Sequence, residues 1–361
     1  MQSHERQVRH STDFPGWCDD VTDSTSPARF ARRALLRAAV LRSHGDEGQR
    51  PEGALAGDTP AYTVTGKILD ISPHILVLDT DDGEQRFPLA SSAKAWRGGP
   101  VAPAALRQGD QAIVRRSKPG MSVVDRLWAE AGRVTGTIIE RDGPATLLVD
   151  EGPAKGRRIV IIGAGATGRI QVRFPRLEPG YLIDVIGLRH DGFLEALLPA
   201  TAQPPYPAGH PPVPPLVSGH VPDPLSGTAV WHEPGEEPTG LIGLAYPALD
   251  PETSCEQTRT VPVTCDGDLH AVDPHATGPG CIRLPYLSVG SMLRLRNDCS
   301  GRVRVLPVTG CGATARLFCD RCVSCGASQK GRIADLTMTA FVELGGNLED
   351  GCFNATMTIG G

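Results

Sequence analysis

From residue 61 onward the chain is written in short runs that alternate apolar and polar positions, the signature of strands with one buried face. Residues 62–69 and 74–78 read as two strands, and the turn Asp81-Asp82-Gly83 leads into a third over 85–89. The series then recurs. Val64-Thr65-Gly66-Lys67-Ile68 is matched by Val134-Thr135-Gly136-Thr137-Ile138, 70 positions later. Val77-Leu78-Asp79 is matched by Leu148-Val149-Asp150, and Leu106-x-x-Gly109 by Leu177-x-x-Gly180, both 71 positions later. Landmarks in so constant a register mark an internal duplication. Each unit reads as strand, hairpin, strand, irregular crossing, then Leu-x-x-Gly before a final strand, which predicts two tandem OB-like small β-barrels over 59–120 and 126–198.

The second copy contains Gly163-Ala164-Gly165-Ala166-Thr167-Gly168 after the apolar run 159–162, the spacing of a dinucleotide fingerprint. That chemistry needs a helix starting at the glycines, with its amides facing a pyrophosphate. The following Arg169-Ile170-Gln171-Val172-Arg173-Phe174 alternates with period two, so a loop without nucleotide is expected.

Residues 1–58 are polar and read as a disordered tail with one short basic helix, Ser26 as its N-cap and Pro27 at its first position. Within it, 31–37 resembles a degenerate twin-arginine export motif, although the apolar run 38–41 is short for a leader. Residues 199–238 hold 12 of the 32 prolines and predict an extended, semi-rigid linker. The fold class is therefore mainly β: two small barrels, a Pro-rich linker, and a cysteine-rich module over 239–361.

Composition agrees with this picture. Gly 42 and Pro 32 against 5% aromatic residues favour many turns and short strands over long helices. A net charge of −5 gives no electrostatic case for nucleic acid, and the repeated units lack the basic, aromatic surface that binds single strands. No stretch approaches the roughly 20 apolar residues of a membrane span.

Of ten cysteines, Cys18 stands alone and Cys255, Cys265, Cys281, Cys299, Cys311, Cys319, Cys322, Cys325 and Cys352 follow in the last third. Cys319-x2-Cys322-x2-Cys325 invites a metal reading, but no second Cys-x2-Cys lies at zinc-ribbon spacing, which favours disulfides in an oxidising compartment. Nine is odd, so one thiol is left over or pairs elsewhere. No metal or cofactor is expected. His270, Asp273 and His275 form a small group without a wider ligand pattern.

Three elements of the last third carry a resemblance. They are Gly290-Ser291-Met292-Leu293-Arg294-Leu295-Arg296-Asn297, the strand Gly301–Val308 with the Thr309-Gly310-Cys311-Gly312 loop, and Asp335-Leu336-Thr337-x-x-Ala340-Phe341-x-x-Leu344-Gly345. In this order they resemble the double-psi β-barrel of rare-lipoprotein-A-like, barwin and expansin proteins, over about 115 residues. The resemblance implies several disulfides, an extracytoplasmic or cell-wall location, and binding or cleavage of peptidoglycan or related wall polysaccharide. In the resembled element the Asp caps a short helix whose Phe341 and Leu344 pack inward.

The chemistry departs from that family. Gly310 occupies the position of the acid/base Asp of lytic members, and Leu284 that of their His. Asp335 remains, at the position expansins need, as a helix cap or as a general acid if burial raises its pKa. Cleavage by two carboxylates would need a partner, for which Asp298, Asp320, Asp266 and Glu343 are the choices. The candidate sugar contacts are Tyr246, Thr309, Asp298 and Asp335. The reading is a binding module for wall glycan, with lytic or glycan-loosening activity through Asp335 as the alternative. The oligomeric state is left open.

Overall fold

The computed structural model describes residues 63–117, 122–152, 155–210, 224–234, 239–246, 282, 284, 287, 290–312, 317–322, 324 and 331–359. The basic segment 26–37, Asp266, the His270–His275 group and the prolines of 211–223 lie outside them, as do Cys18, Cys255, Cys265, Cys281 and Cys325.

The first repeat forms β1 (Thr63–Ile71), β2 (Ile75–Thr80), β3 (Gly83–Trp96), the short β4 (Pro100–Val101), β5 (Gln111–Arg116) and β6 (Val124–Ala129). The second forms β7 (Ala131–Asp142), β8 (Thr146–Asp150), β9 (Arg157–Ile162), helix α1 (Thr167–Arg173), β10 (Leu182–Arg189) and β11 (Phe193–Pro199). Their pairings coincide. β1 pairs with β2 and β5, β2 with β3, β5 with β6, and β3 lies parallel to β6. β7 likewise pairs with β8 and β10, β8 with β9, β10 with β11, and β9 lies parallel to β11.

The repeated residues have repeated tasks. The register slips between Ile68 and Asp70 in one barrel and between Ile138 and Glu140 in the other, a β-bulge at the same place. In each Leu-x-x-Gly element the leucine is buried. Its glycine takes a positive φ, 93° at Gly109 and 88° at Gly180, and donates its N–H to Ile68 or Ile138.

Three elements differ from expectation. Residues 124–129, beyond the expected end of the first barrel, are its closing strand. The boundary carries no Gly or Pro signal because Glu130 alone turns the chain into β7, at φ 50°. Residues 167–173 form α1 rather than a loop. Ala166, Ile170 and Phe174, four apart, are all buried, so the helical period outweighs the local alternation. The next strand, β10, pairs with β7 and β11 and not with β9, so no parallel βαβ unit follows the glycines. Finally, β12 (Leu225–His232) lies within the stretch expected as linker.

β12 belongs to a third barrel, closed by β13 (Leu244–Tyr246), β14 (Met292–Asn297), β15 (Val303–Cys311), β16 (Arg332–Thr337) and β17 (Cys352–Ile359). Its order is β12-β16-β13-β15-β14-β17. Two neighbours are parallel, β12–β16 and β13–β15, and the other four pairs are antiparallel. Helix α2 (Met338–Glu343) follows β16. Asn297 ties β14 to the end of α2: its Oδ1 accepts from the N–H groups of Cys299 and Ser300, and its amide donates to Leu344 at 2.9 Å.

One apolar cluster runs through all three barrels. Trp96, Ile113 and Trp128 of the first and Ala131, Ile186 and Ala200 of the second join Trp231, Leu244, Leu336, Phe341 and Phe353 of the third. No helix among the described residues is long and apolar enough to cross a membrane.

Candidate functional site

Asp335 sits near the end of β16, and its register places it among its neighbours. It lies beside Val230 of β12, which pairs in turn with Cys352 of β17. On its other side it lies beside Ala245 of β13, which pairs with Gly310 of β15. Side chains abreast on neighbouring strands share a face. Leu336 and Leu244 point into the core, so the row Cys352, Val230, Asp335, Ala245, Gly310 lies on the opposite side. Gly310, the place of the acid in lytic relatives of the resembled family, is thus two strands from Asp335, roughly 10 Å at the usual strand spacing.

Asp335 is not the cap of α2. Thr337 is: its Oγ1 accepts from Ala340 N–H at 3.3 Å, while Asp335 is two residues upstream inside the strand. Phe341 and Leu344 are fully buried, with Phe341 stacked 4.8 Å from Phe353.

The partner of Asp335 is His232, the last residue of β12. Its Nδ1 is 3.5 Å from Oδ1 of Asp335 and 3.2 Å from the backbone carbonyl of the same residue. The shorter contact takes the imidazole N–H, leaving the longer one an ion pair rather than a hydrogen bond. Oδ1 of Asp335 therefore has no hydrogen-bond donor, although the residue is only 8% exposed. Burial pushes this carboxyl's pKa up. The charge of His232, with Arg332 and Lys155 further off, outweighs that and holds it well below the usual carboxylate range. A carboxyl so held stays ionised and is poorly suited to donate a proton.

The remaining sequence candidates are not gathered here. Tyr246 is fully buried in the apolar cluster. Thr309 is 5% exposed and donates to Leu244 at 3.3 Å. Asp298 is tied to Arg296 and Thr356. Of the carboxylates weighed as partners, Asp320 is buried against Arg332, and Glu343 accepts from Arg304 at 3.0 Å. Leu284, at the family's His position, is a core residue. Cys299 and Cys319 are each in a disulfide. Cys322 and Cys352 are buried and pack with Val230, and the side chain of Cys311 lies outside the described residues.

A second constellation escaped the sequence reading: the seam between the second and third barrels. Arg133 of β7 grips Asp184 of β10 with two hydrogen bonds, 2.8 and 2.6 Å, and donates to the Gly351 carbonyl at 2.7 Å. Arg332 of β16 reaches both Asp184 and Asp320 at 2.5 Å. These four side chains are buried. Burial drives the Asp184 pKa up, but the two guanidinium charges outweigh it and hold that carboxyl low. At Asp320 burial prevails and its pKa is raised. Beside the network, Glu233 accepts from Arg158 at 2.7 Å and from the Arg133 backbone N–H at 3.3 Å, and pairs with Arg189 at 3.3 Å.

Compared with models of known protein families and with curated proteins, the chain matches none.

Proposed function

We propose that this is an exported, cell-wall-associated protein whose third barrel, a double-psi β-barrel, binds peptidoglycan or a related glycan. The two small barrels before it are OB-like. The observation that carries the reading is the third barrel's pairing pattern, six strands closed with two parallel pairs. It accompanies the strand-to-helix element Asp335-Leu-Thr-x-x-Ala-Phe, which runs from β16 into α2. The disulfides at Cys299 and Cys319 fit an oxidising location. Binding is preferred to cleavage because Asp335 is held ionised and is paired with a histidine rather than a second carboxyl. The Asp335 side chain keeps 11% of its surface exposed, and an ionised carboxylate there suits acceptance of a hydrogen bond from a sugar hydroxyl.

The test uses the full chain, since the third barrel buries charges against the second. Purified protein is sedimented with peptidoglycan sacculi, and the supernatant is assayed for released muropeptides. The expected result is co-sedimentation without release. Asp335→Ala should weaken retention about tenfold, the scale of one charge-assisted hydrogen bond. Failure of the wild type to sediment sinks the glycan reading. Release that disappears in Asp335→Asn replaces it with the lytic one.

A further inference from the structure

The first and second barrels pack against each other at the turn between β3 and β4. A Cβ on Gly98 of that turn would strike Leu188 of β10 at 2.8 Å and Leu197 of β11 at 3.0 Å. Glu130, between β6 and β7, ties the same junction. Its backbone N–H donates to Gln111 of β5 and its carbonyl accepts from Arg189 of β10, both at 2.9 Å. Around these contacts lies an open cleft of about 450 Å³, lined by Arg97, Asp110, Glu130, Arg189, His190 and Asp191. Its volume falls in the range of small-ligand sites.

The lining is held by its own contacts. Arg97 grips Asp110 with two hydrogen bonds, 2.8 and 3.2 Å. Arg189 pairs with Glu130 at 3.5 Å, and Glu130 also accepts the Gln111 N–H at 2.6 Å. The His190 ring lies flat on Phe193, with centroids 4.5 Å and planes 10° apart, and its Nε2 is 3.4 Å from Glu195. One ring face is thus covered, while 39% of the side chain stays exposed. Glu130 takes φ 50°, which glycine would adopt without strain, and the glutamate instead puts a carboxylate on the cleft wall.

Two arginines against three carboxylates leave this lining one charge negative while His190 is neutral, which disfavours an anionic ligand. The same groups offer charge-assisted donors and acceptors side by side. A hydroxyl can answer both, and a sugar ring adds an apolar face for the open side of the imidazole. We propose that this cleft is a second saccharide site, taking an uncharged, hydroxyl-bearing sugar with His190 as its stacking platform. It shares no residue with the Asp335 row. Resting on the glycan reading above for its polymer, it gives the junction of the small barrels a task of its own.

The full chain is titrated calorimetrically with triacetylchitotriose, a neutral soluble trisaccharide, as wild type and as Asp335→Ala. Binding should persist in Asp335→Ala. In that background His190→Ala should weaken it about fivefold, the scale of one lost polar contact. Asp191→Trp, which fills the cleft from an exposed position on its wall, should abolish it. His74→Ala removes an exposed histidine elsewhere on the first barrel and should change nothing. Trigalacturonate, which carries carboxylates, should bind more weakly than the neutral probe, and equal binding would refute the choice of an uncharged sugar. Trisaccharide binding lost in Asp335→Ala alone, or kept in both cleft variants, overturns the cleft and leaves the glycan reading with the third barrel. Binding lost only in the cleft variants, with sacculi not retained by the wild type, supports the cleft and removes the third-barrel reading. A wild type that binds neither triacetylchitotriose nor sacculi removes both.

Discussion

The two small barrels have the same strand pairings, the same bulge and the same glycine landmarks, yet at one corresponding docking position they meet the third barrel by different physics. At one pair of corresponding positions the backbone does the same work in each. Thr63 N–H donates to Glu343, and Arg133 N–H to Glu233, both at 3.3 Å. Across the sheet from Thr65 stands Ile113, and across from Thr135 stands Asp184. Ile113 dissolves into the common apolar cluster, whereas Asp184 anchors a buried ionic network with Arg133, Arg332 and Asp320. The duplicated framework thus leaves the docking positions free to change polarity, provided each charge that enters finds its partners. An apolar contact tolerates gradual loss. A buried charge network does not, because every member removed strands another.

Breaking the ionic seam should therefore have the largest effect. Asp184→Ala leaves Arg133 and Arg332 facing a vacated site and should destabilise the full chain by about 3–5 kcal/mol in denaturant unfolding. Ile113→Ala, the corresponding change in the first barrel, should cost about 2–4 kcal/mol through its cavity. The double change Asp184→Ile with Arg133→Thr rewrites the second seam toward the first, leaving Arg332 with Asp320. It should recover part of the single-variant loss. A double variant less stable than Asp184→Ala would show that the network contributes more than the pairing of its charges.

The next prediction concerns what the barrels share. A Cβ on Gly66 would strike the carbonyl of Asp79, and one on Gly136 the carbonyl of Asp150, the latter more closely. Both clashes are with backbone next to the bulge. Ala at either position should cost about 1–3 kcal/mol, as overpacking does, with Gly136→Ala the worse. Thermal unfolding of the two variants checks the order. If both are neutral, the bulge is adjustable and the glycine in the repeat has no steric role.

These shared features were legible because a repeat amplifies local signals: each landmark occurs twice, and a bulge or a Leu-x-x-Gly turn is encoded by neighbours in sequence. The seam was not legible. Asp184 and Arg332 are 148 residues apart, and either alone reads as a surface charge. His232 was missed for a related reason. Its strand is flanked by prolines that announce a linker, and its partner lies 103 residues away. Asp335 was found, but with the wrong local role. A threonine two residues downstream also satisfies the capping pattern, and only the strand's length decides between them. Helix α1 shows two periods competing over the same residues, where burial of Ala166, Ile170 and Phe174 selected the helical one.

The smallest effect separates the barrels by pH. Asp79 and Asp150 are corresponding residues, so Glu151 stands where the first barrel has Thr80. Burial raises the Glu151 pKa above its ordinary 4.5, against the opposing pull of Lys155 and Arg158. A carboxyl with a raised folded pKa contributes stability that is present below its unfolded value and lost as pH rises through the folded one. Asp335 has the opposite sign: its contribution is present above the ordinary 3.8 and lost as pH falls through its lowered folded value. Glu151→Gln should therefore gain on the wild type as pH rises from about 4.5, while Asp335→Asn should fall behind it as pH rises toward about 3.8 and hold a constant deficit above that. Urea midpoints measured from about pH 2 to 7 would show the Asp335 difference growing up to about 3.8 and the Glu151 difference growing, with the opposite sign, above about 4.5. A Glu151→Gln difference that stays flat with pH would mean that Lys155 and Arg158 offset the burial of Glu151.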